Sequence, residues 1–489
     1  MLRTARAALV AAVLVLVAAP ATVHARVDPP LPTPAARPNI VYVLTDDLSD
    51  DLLQFMPQVQ AMQREGVSFA DYFVSDSLCC PSRASLLTGR YPHSTGVRSN
   101  VYPTGGWKVF RNRGEEASTF ATDLQARGYR TAMYGKYLNE YQPTSGHVPP
   151  GWDTWAVSGK GYHEFDYNLN IDGRVARFGS APRDYLTDVM ARRSLRFIDG
   201  AAQAGAPFFV ELSTFAPHGP ATPAPRDRDR FAGLQAPHSG AWDQPIADGP
   251  SWLAGRAPLD AGQIAQLDTR FRKRAQSVLA VDRLLGRIRA RLDRLGIADN
   301  TYIVFNSDNG FHLGQHRLMP GKMTAYDEDV RVPLIVTGPG VPAGSTVGAL
   351  AQNVDLRSTF DALAGTVPGE PVEGRSLADL IHGRPAGPWR QTALIEHEGP
   401  DLNPSDPDYQ SAPGGNPVTY EAARFANGLY VESANGEREF YNLATDPNAV
   451  TNIYNQRDAG QQLELAQRLH RLTQCATPAE CFDAPGPAG

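Results

Sequence analysis

The 489-residue sequence has few cysteines, no excess of basic residues, and no long apolar stretch after its N-terminal region. Lys and Arg number 46 against 52 Asp and Glu, which gives a formal net charge of −6. This balance argues against a general nucleic-acid-binding or anionic-membrane-binding surface, because both need an excess of basic residues. It leaves open a small anionic substrate, since a few local cations are enough to bind one.

The N-terminus has the layout of a secretory signal peptide. Two arginines precede an apolar run over residues 7–19, and a Val-His-Ala tripeptide offers a cleavage site after Ala25. A membrane anchor is the weaker interpretation, because the run is short and is broken by Pro20. We predict that residues 1–25 are a signal peptide, that residues 26–37 form a flexible proline-rich leader, and that the mature protein is secreted or extracytoplasmic.

Apolar, β-branched runs recur along the chain, each typical of a strand that is covered on both faces of its sheet. They lie near residues 40–44, 129–136, 207–215, 301–310 and 332–340. Such strands are usually parallel and are connected by helices, of which the clearest spans about residues 261–296, with leucines at helical spacing. The sequence therefore predicts an α/β fold whose mostly parallel central sheet is flanked by helices.

The pattern changes near residue 385, beyond which apolar and polar residues alternate as in antiparallel strands. The alternating segments cover residues 420–433 and 438–447, and Asn435-Gly436 between them is typical of a hairpin turn. A final helix is predicted over about residues 460–473. We predict a catalytic domain over residues 38–385 and a smaller C-terminal subdomain over 386–489 with an antiparallel sheet and a helix. Residues 219–258 are predicted to form a long surface excursion.

The segment from Cys79 to Arg90, CCPSRASLLTGR, combines several chemically informative residues. Pro81 suits the first turn of a helix and Gly89 the position just past its end, so Cys79 is predicted to lie just before a short helix. Free backbone N–H groups at that helix start, together with the fork of Arg83, favour an anion. The local chemistry suggests an oxyanion substrate.

Four cysteines in an exported chain allow two disulfides with three possible connectivities. Cys475 and Cys481 bracket a short loop and resemble a local disulfide pair. A bond between the adjacent Cys79 and Cys80 would be geometrically awkward. At least one of these two cysteines therefore invites a chemical explanation.

Polar side chains end two of the predicted strands. Asp46 and Asp47 end the first strand, and Asp308 and Asn309 end another that lies far along the chain. Open α/β sheets bind ligands at the carboxyl ends of their strands. Three carboxylates and an amide oxygen suit Ca²⁺ or Mg²⁺ better than Zn²⁺. One Asp pair alone is typical of a turn or a helix cap, but its recurrence at a second strand end favours a metal site.

These motifs resemble those of the type I sulfatases, a branch of the alkaline phosphatase superfamily. The main signature is CxPSR followed by AxxLTGR over residues 79–90. Further matching segments are TDD at 45–47, GRYPHSTGV at 89–97, GYRTAMYGK at 128–136, APHGP at 216–220, SDNG at 307–310 and the lysine of PGKMTAYDEDVRVP at 320–333. The N-acetylglucosamine-6-sulfatases and related heparan sulfatases are the most similar subgroup, through CCPSRAS, GKYLNEY at 135–141, DYLTDV at 184–189 and FRKR at 271–274.

The resemblance implies that Cys79, rather than Cys80, is oxidised by a formylglycine-generating maturation enzyme to 3-oxoalanine (formylglycine). In that family, one hydroxyl of the hydrated aldehyde attacks sulfur, and deprotonation of the other later expels sulfate. The resemblance also implies one bound Ca²⁺, with Mg²⁺ as the alternative. The implied metal ligands are Asp46, Asp47, the modified Cys79, Asp308 and Asn309.

Four further residues receive roles from the same resemblance. Arg83 would hold the formylglycine hydrate, Lys136 and Lys322 would bind sulfate oxygens, and His218 would protonate the leaving alcohol or contact the sulfate. Taken alone, a lysine is usually a solvated surface group and this histidine could cap a loop, but their places in the family pattern favour function. One departure is Leu138, which stands where many sulfatases carry a histidine and which the similar subgroup shares.

Several polar residues near these motifs have open roles. Asn139, Glu140, His312 and His316 are candidates for the lining of a substrate pocket, whereas His93 is predicted to be structural.

The predicted function is an exported, metal-dependent sulfatase acting on a sulfated carbohydrate, with a 6-O-sulfated N-acetylglucosamine unit as the expected substrate. One alternative is a phosphatase or phosphonate monoester hydrolase of the same superfamily, which a Ser or Thr in place of Cys79 would favour. Another is a non-catalytic, metal-stabilised carbohydrate-binding protein. Loss of Arg83, Lys136 or Asp308 would favour that alternative, and all three residues are present.

Overall fold

The structure is a computed structural model that describes residues 37–482 apart from Ser239, Ser405 and Ser411. The predicted signal peptide lies outside the described residues, as does the predicted leader except for Arg37.

Sixteen strands and twelve α-helices lie within the described residues. The strands are β1 (Asn39–Asp46), β2 (Val67–Phe69), β3 (Tyr72–Phe73), β4 (Arg130–Lys136), β5 (Thr154–Ser158), β6 (Asn168–Ile171), β7 (Arg174–Arg177), β8 (Phe208–Pro217), β9 (Thr301–Ser307), β10 (Leu334–Thr337), β11 (Ser345–Val347), β12 (Ala351–Gln352), β13 (Thr392–His397), β14 (Tyr420–Phe425), β15 (Gly428–Ser433) and β16 (Arg438–Asn442). The helices are α1 (Pro57–Glu65), α2 (Cys79–Thr88), α3 (Pro92–Thr95), α4 (Gly106–Asn112), α5 (Phe120–Ala126), α6 (Leu186–Gln203), α7 (Ala261–Leu295), α8 (Asp327–Val330), α9 (Asp355–Leu363), α10 (Ala378–Ile381), α11 (Ala459–Leu472) and α12 (Pro478–Phe482).

The central sheet has ten strands in the order β11-β2-β10-β9-β1-β8-β4-β5-β6-β7. Its middle strands β9, β1, β8, β4 and β5 are parallel, so the predicted mostly parallel sheet is confirmed. The register of the middle strands aligns Val43 with Leu212 on one side and with Phe305 on the other. β10 runs antiparallel to β9, a direction that its apolar sequence did not reveal.

Helices cover both faces of this sheet, which explains why β1 is buried along its whole length. Successive side chains of a strand point to opposite faces. Ile40 and Tyr42 therefore join the core that contains residues of α2, α5 and α9, whereas Val41 and Val43 join the core formed with α6 and α7. Burial of each large aliphatic side chain contributes roughly 1.5–3 kcal/mol, so both layers stabilise the position of the strand ends.

The longest helix, α7, agrees closely with its predicted bounds. The side chain of Asp260 accepts a hydrogen bond from the backbone N–H of Gln263 and caps its start, and Gly296 ends it with a φ of 67°. The buried face carries Leu284, Leu285 and Ile288 against the sheet. One face of this helix lines the cavity beside the strand ends.

The C-terminal part contains the predicted antiparallel sheet, with strand order β13-β14-β15-β16, and the predicted helix, α11. Gly436 lies in the hairpin between β15 and β16 with a φ of 93°. Cys475 and Cys481 form a disulfide, whereas Cys79 and Cys80 are free and buried. The domain boundary near residue 385 stays a prediction.

The predicted excursion over residues 219–258 contains neither a helix nor a multi-residue strand among its described residues. Among the helices of the described part of the chain, none combines the length and the apolarity that a bilayer crossing needs.

Candidate active site

Four neighbouring parallel strands end at the same edge of the central sheet. In spatial order these are β9, β1, β8 and β4, and each is followed or ended by a polar side chain. Those residues are Asp308 and Asn309, Asp46 and Asp47, His218, and Lys136, respectively. Parallel strands thus bring residues more than 250 positions apart into contact, since Asn309 Nδ2 donates to Asp47 Oδ1.

The helix α2 begins at Cys79, two residues before the predicted start at Pro81. The expectation that Cys79 precedes the helix was therefore wrong. A proline lacks only its own N–H, and any position within the first turn leaves that group without an intrahelical partner. The predicted end is confirmed, because Gly89 adopts the left-handed conformation with a φ of 70°.

The thiol of Cys79 lies inside the polar cluster. Its Sγ is 3.1 Å from Asp46 Oδ1 and 2.9 Å from Lys322 Nζ. Burial, reinforced by the charge of Asp308, raises the pKa of the Cys79 thiol well above its ordinary value. The unmodified side chain is therefore a protonated thiol at neutral pH, which is a poor nucleophile.

Each buried carboxylate of the cluster is paired with a cation. Lys136 Nζ lies 2.7 Å from Asp46 Oδ2, and Lys322 Nζ lies 2.6 Å from Asp47 Oδ1. On α2, the Arg83 side chain donates to Asp308 through a contact of 2.7 Å between Nε and Oδ2. Buried charges need such partners, because desolvation of an unpaired ion is costly.

Arg83 is held by two further groups on the sheet. Its Nη1 lies 2.5 Å from Ser213 Oγ of β8 and 3.2 Å from the carbonyl oxygen of Lys136 on β4. Arg83 thus holds Oδ2 of Asp308, while Oδ1 accepts from the backbone N–H groups of Asp47 and Asn309. The resemblance to the sulfatases also assigns Arg83 the role of holding the formylglycine hydrate at position 79, and this role stays a prediction.

The donor atoms fit a hard divalent cation. One ligand atom from each of Asp46, Asp47, Cys79 and His218 lies within 4.8 Å of the other three. Beside them, Asn309 donates from Nδ2 to Asp47 Oδ1 at 2.7 Å, while its buried Oδ1 has no hydrogen-bond partner among the described residues. An unpartnered amide oxygen next to carboxylates is the arrangement that a cation with oxygen ligands would complete.

His218 follows β8 and points into the cluster. Its Nε2 lies 2.5 Å from Asp408 Oδ1 and 3.7 Å from Asp47 Oδ2, and its Nδ1 lies 2.8 Å from the Gly219 carbonyl oxygen. Burial lowers the pKa of His218, but the charges of Asp47 and Asp408 outweigh it and raise the pKa to about 9. The imidazole is therefore protonated at neutral pH and can donate a proton.

Asp408 is a site residue that the sequence analysis missed. Besides His218, its carboxylate accepts from Lys322 Nζ at 2.7 Å, from Asn100 Nδ2 at 2.6 Å and from Asn139 Nδ2 at 3.2 Å. It lies in the segment between β13 and β14, where aspartate, proline and glycine are typical of turns. No local signal separates this aspartate from its neighbours in sequence.

The other polar candidates contact protein groups. Glu140 accepts a hydrogen bond from the backbone N–H of Tyr102, and His312 Nδ1 is 2.9 Å from Asp329 Oδ2. His316 is buried against the ring of Tyr326, and neither of its ring nitrogens has a hydrogen-bond partner among the described residues. His93 Nδ1 lies 2.9 Å from Glu396, in agreement with its predicted structural role. Leu138 is buried in the core.

A cavity of about 970 Å³ opens beside Asp47, His218 and Asp408. One wall is formed by a face of α7 that includes Arg270 and Lys273, and another by residues 407–410. This volume is in the range of sites that bind drug-sized ligands. The polar cluster lies at one end of this cavity.

The parallel sheet, the strand-end carboxylates and the buried cysteine at a helix start together define a sulfatase of the alkaline phosphatase-like superfamily. The family model described as Sulfatase matches residues 38–366, and the chain belongs to this family. A second model, described as N-sulphoglucosamine sulphohydrolase, C-terminal, matches residues 314–475.

Two of the similar proteins are named for the same activity. The human N-acetylglucosamine-6-sulfatase is 36% identical over 473 residues, which cover 90% of this chain and 85% of that protein. An N-acetylglucosamine-6-O-sulfatase of Bacteroides thetaiotaomicron is 26% identical over 511 residues, covering 88% of this chain and 86% of the relative. The chain is therefore similar to the N-acetylglucosamine-6-sulfatases over most of its length.

Solved structures share the fold of this chain. A protein in complex with its substrate D-glucosamine-2-N,6-O-disulfate aligns with a TM-score of 0.71 and 26% identity, covering 89% of this chain and 97% of that one. A phosphonate monoester hydrolase of Agrobacterium radiobacter aligns with a TM-score of 0.68 at 21% identity, covering 89% and 95%, and shows the fold alone.

Proposed function

We propose that this sulfatase hydrolyses the 6-O-sulfate of an N-acetylglucosamine-type sugar. The observation that supports the proposal most strongly is the convergence of Cys79, Lys136, Lys322 and His218 on one buried carboxylate cluster at the end of a sugar-sized cavity. The similarity to proteins named N-acetylglucosamine-6-sulfatases supports the choice of substrate, and so does the substrate of the aligned complex, which is sulfated on O6.

We infer that Cys79 is converted to formylglycine before the enzyme is active. This group, when hydrated, supplies one hydroxyl as a nucleophile and a second through which sulfate is released. The surroundings of Cys79 suit an oxygen nucleophile, since Asp46 Oδ1 lies 3.1 Å from the side chain and can accept a hydrogen bond from a hydroxyl there. The ammonium of Lys322, 2.9 Å away, lies where it would stabilise negative charge.

We further propose that Asp46, Asp47, Asp308, Asn309 and residue 79 hold one Ca²⁺, with Mg²⁺ as the alternative. Buried carboxylates and the unpartnered Oδ1 of Asn309 support an oxygen-ligated ion. A bound divalent cation would supply positive charge that offsets the charge of the transferring sulfuryl group.

The remaining side chains would bind the sulfate group or donate a proton to the leaving sugar oxygen. Lys136 and Lys322 would hold the sulfate oxygens as point charges, since both ammonium groups already lie within 3 Å of the residues around the reacting position. His218 would protonate the leaving sugar oxygen from Nε2, which the charge of Asp408 keeps protonated. Arg83 would hold the formylglycine hydrate, and its Nε also binds Asp308 Oδ2 at 2.7 Å.

Mass spectrometry of the peptide that contains residues 79–83 tests the modification. Protein co-expressed with a formylglycine-generating enzyme should show a loss of about 18 Da relative to the unmodified cysteine peptide, a change outside the usual oxidation ladder of cysteine. Unmodified Cys79 in fully active protein would contradict the proposal. Cys79→Ala should abolish sulfate release while the protein keeps its thermal unfolding midpoint within a few degrees, because the change removes one atom.

Sulfate release from N-acetylglucosamine 6-sulfate, compared with the 3-sulfate, tests the regiospecificity. We expect a preference of at least about 100-fold for the 6-sulfate, the discrimination that correct placement of the reacting bond can give. Faster hydrolysis of phosphate or phosphonate monoesters would instead support the alternative activity.

We also propose that the protein is exported after removal of residues 1–25, which lie outside the described residues. N-terminal sequencing of protein recovered from the medium or the periplasm should give a first residue near Arg26. An intact N-terminus on active protein would contradict this.

A further inference from the structure

We propose that Arg270 and Lys273 form a second anion subsite, which binds an anionic substituent of the substrate other than the sulfate that is cleaved. The inference rests on the proposed function, because it concerns the substrate of the same active site. It adds that the preferred substrate carries at least two anionic groups.

The position of both residues follows from the geometry of α7. Arg270 and Lys273 are three residues apart, so they lie on the same face of the helix, and both line the cavity. Gln263, Gln266 and Thr269 of the same face also line it. The wall is thus polar and carries two cations.

Arg270 lies close to the catalytic groups. A Cβ atom built at position 219 would be 3.0 Å from Arg270 Nη1, so the guanidinium packs against the glycine that directly follows His218. Arg270 therefore lies beside the residue that follows the proposed proton donor in the sequence. An anionic group bound there would belong to the sulfated sugar itself or to the sugar next to it.

Neither cation has a protein partner that would explain it. Among the described residues, neither Arg270 nor Lys273 forms a salt bridge or a hydrogen bond. Asp47 is the acid that faces Arg270 across the cavity, and it is already engaged by Lys322 and Asn309. Burial lowers the pKa of Arg270, which shows that the guanidinium is partly desolvated without full compensation. An anionic ligand would supply the missing partner.

The neighbouring Arg274 keeps the two cations in place. Its buried guanidinium donates from Nη2 to the Asp47 carbonyl oxygen at 2.5 Å and lies 4.1 Å over the ring of Phe311. These contacts fix the rotation of α7 relative to the strand ends. The backbone positions of Arg270 and Lys273 are therefore fixed relative to the strand ends, while the half-buried Arg270 side chain is more restricted than the exposed Lys273 side chain. A fixed backbone lowers the entropic cost of binding a second anion.

The chemistry of the pair defines the ligand class. A guanidinium binds a sulfate or a carboxylate through two parallel hydrogen bonds, and an ammonium adds a point charge. Two sources supply such a group next to a 6-sulfate: an N-sulfate on the same glucosamine, or the carboxylate of a neighbouring uronate. Both are anions that the same two side chains would recognise.

Kinetics of an Arg270→Gln/Lys273→Gln double variant test the subsite. Three substrates are compared: N-acetylglucosamine 6-sulfate, glucosamine-2-N,6-O-disulfate, and a uronate-containing disaccharide with a 6-sulfate. For whichever dianionic substrate uses the subsite, kcat/KM should fall about 10- to 100-fold, mainly through KM, as expected for the loss of hydrogen bonds to a charged group. For the monosulfated sugar the change should stay below about threefold. Equal losses on all three substrates would overturn the inference.

Arg294→Gln is the matched control, since Arg294 lies on the same helix, is exposed and is not part of the cavity wall. It should leave all three kcat/KM values unchanged. Arg270→Lys keeps the charge. Its preference for the dianionic substrate over the monosulfated sugar should therefore lie closer to that of the wild type than to that of Arg270→Gln.

Binding separates the failure of this inference from the failure of the proposed function. In a Cys79→Ala background, calorimetric titration with glucosamine-2-N,6-O-disulfate needs no turnover. Adding the double substitution should weaken the Kd about 10- to 100-fold. An unchanged Kd both for this disulfate and for the uronate-containing disaccharide would overturn the subsite even if the wild-type enzyme releases sulfate. Conversely, a wild-type enzyme that releases no sulfate from any ester while the Kd still depends on Arg270 would overturn the proposed function and keep the subsite.

Discussion

His218 and Asp408 form a buried contact of 2.5 Å between Nε2 and Oδ1, although 190 positions separate them in the sequence. His218 follows a strand of the central sheet, whereas Asp408 comes from the segment between the first two strands of the C-terminal sheet. The same carboxylate binds Lys322. The C-terminal part of the chain therefore completes a site whose other residues come mostly from strand ends.

Replacing Asp408 should change the pH dependence of the enzyme. The charges of Asp47 and Asp408 raise the pKa of His218 from 6.5 to about 9 against the opposing effect of burial. A proton donor is active below its pKa, so the alkaline limb of wild-type activity should lie above the ordinary pKa of histidine, because the Asp408 carboxylate stabilises the protonated imidazole. In Asp408→Asn the alkaline limb of kcat/KM should move toward neutral pH, and kcat at pH 8 should fall about 100-fold, the usual contribution of a general acid.

The control is the same substitution in a His218→Gln background. Without the imidazole, Asp408→Asn should produce no further shift of the alkaline limb. An alkaline limb at the same pH in wild type and Asp408→Asn would show that this carboxylate does not control the proton of His218.

Arg83→Lys should weaken the binding of the divalent cation. The guanidinium holds both Asp308 Oδ2, at 2.7 Å, and Ser213 Oγ, at 2.5 Å, and a lysine ammonium cannot keep this planar fork. Loss of such an outer partner typically costs about 10- to 100-fold in metal affinity. Calorimetric titration of the metal-stripped protein with Ca²⁺ measures the effect, and Ser213→Ala should produce a smaller loss in the same direction.

Arg64→Lys provides the matched control for this titration, because Arg64 is exposed on the first helix and outside the site. Its Ca²⁺ affinity should equal that of the wild type. If Arg83→Lys also binds Ca²⁺ like the wild type, Asp308 is either oriented by other groups or is not a ligand.

The residues that could be predicted from the sequence are those whose position depends on local pattern. Asp46 ends and Asn309 follows a strand with an apolar centre that is buried along its whole length, and parallel strands bring their ends to one edge. Cys79 and Gly89 belong to a single short motif with strong helix signals. In each case the information lies within about ten residues of the position.

The residues that could not be predicted reach the site only through contacts between segments that lie far apart in the sequence. Asp408 lies in a segment with the composition of a turn, and Ser213 is one of many small residues inside a buried strand. Only the pairing of strands and the path of the C-terminal segment bring them to His218 and Arg83. The reversed direction of the strand Leu334–Thr337 has the same origin, since an apolar pattern is independent of strand direction.

His93 should stabilise the protein in a pH-dependent way. Burial lowers its pKa, but Glu396 and the Cys475 carbonyl oxygen outweigh it and raise the pKa from 6.5 to about 9. A group whose pKa is raised in the folded state stabilises fully below its unfolded pKa, and this contribution is lost as the pH rises from 6.5 through 9. His93→Gln should therefore lower the free energy of unfolding by on the order of 2 kcal/mol at pH 6 and by much less at pH 10.

Guanidinium unfolding at both pH values measures this difference. His163→Gln is the control, because His163 is exposed and has no hydrogen-bond partner among the described residues. It should change the free energy of unfolding by less than about 0.5 kcal/mol at either pH. An equal loss at pH 6 and pH 10 for His93→Gln would assign its role to packing rather than to charge.

Gly135→Ala should damage both the fold and the site, because this glycine combines a φ of 109° with a close approach of the neighbouring strand. An added Cβ would lie 1.9 Å from the Ser213 carbonyl oxygen, so the strand that carries Lys136 would have to move. We expect a loss of about 3 kcal/mol or more in the free energy of unfolding. Where the variant is still folded, kcat/KM should fall at least tenfold, because Lys136 would be displaced from Asp46.

Gly114→Ala separates the effect of the positive φ from the effect of the contact with Ser213. Gly114 has a φ of 81° but no atom within 4 Å of an added Cβ. Its substitution should therefore cost only about 1 kcal/mol and leave kcat/KM unchanged. Similar losses for the two variants would show that backbone conformation, rather than the contact with Ser213, makes glycine necessary before Lys136.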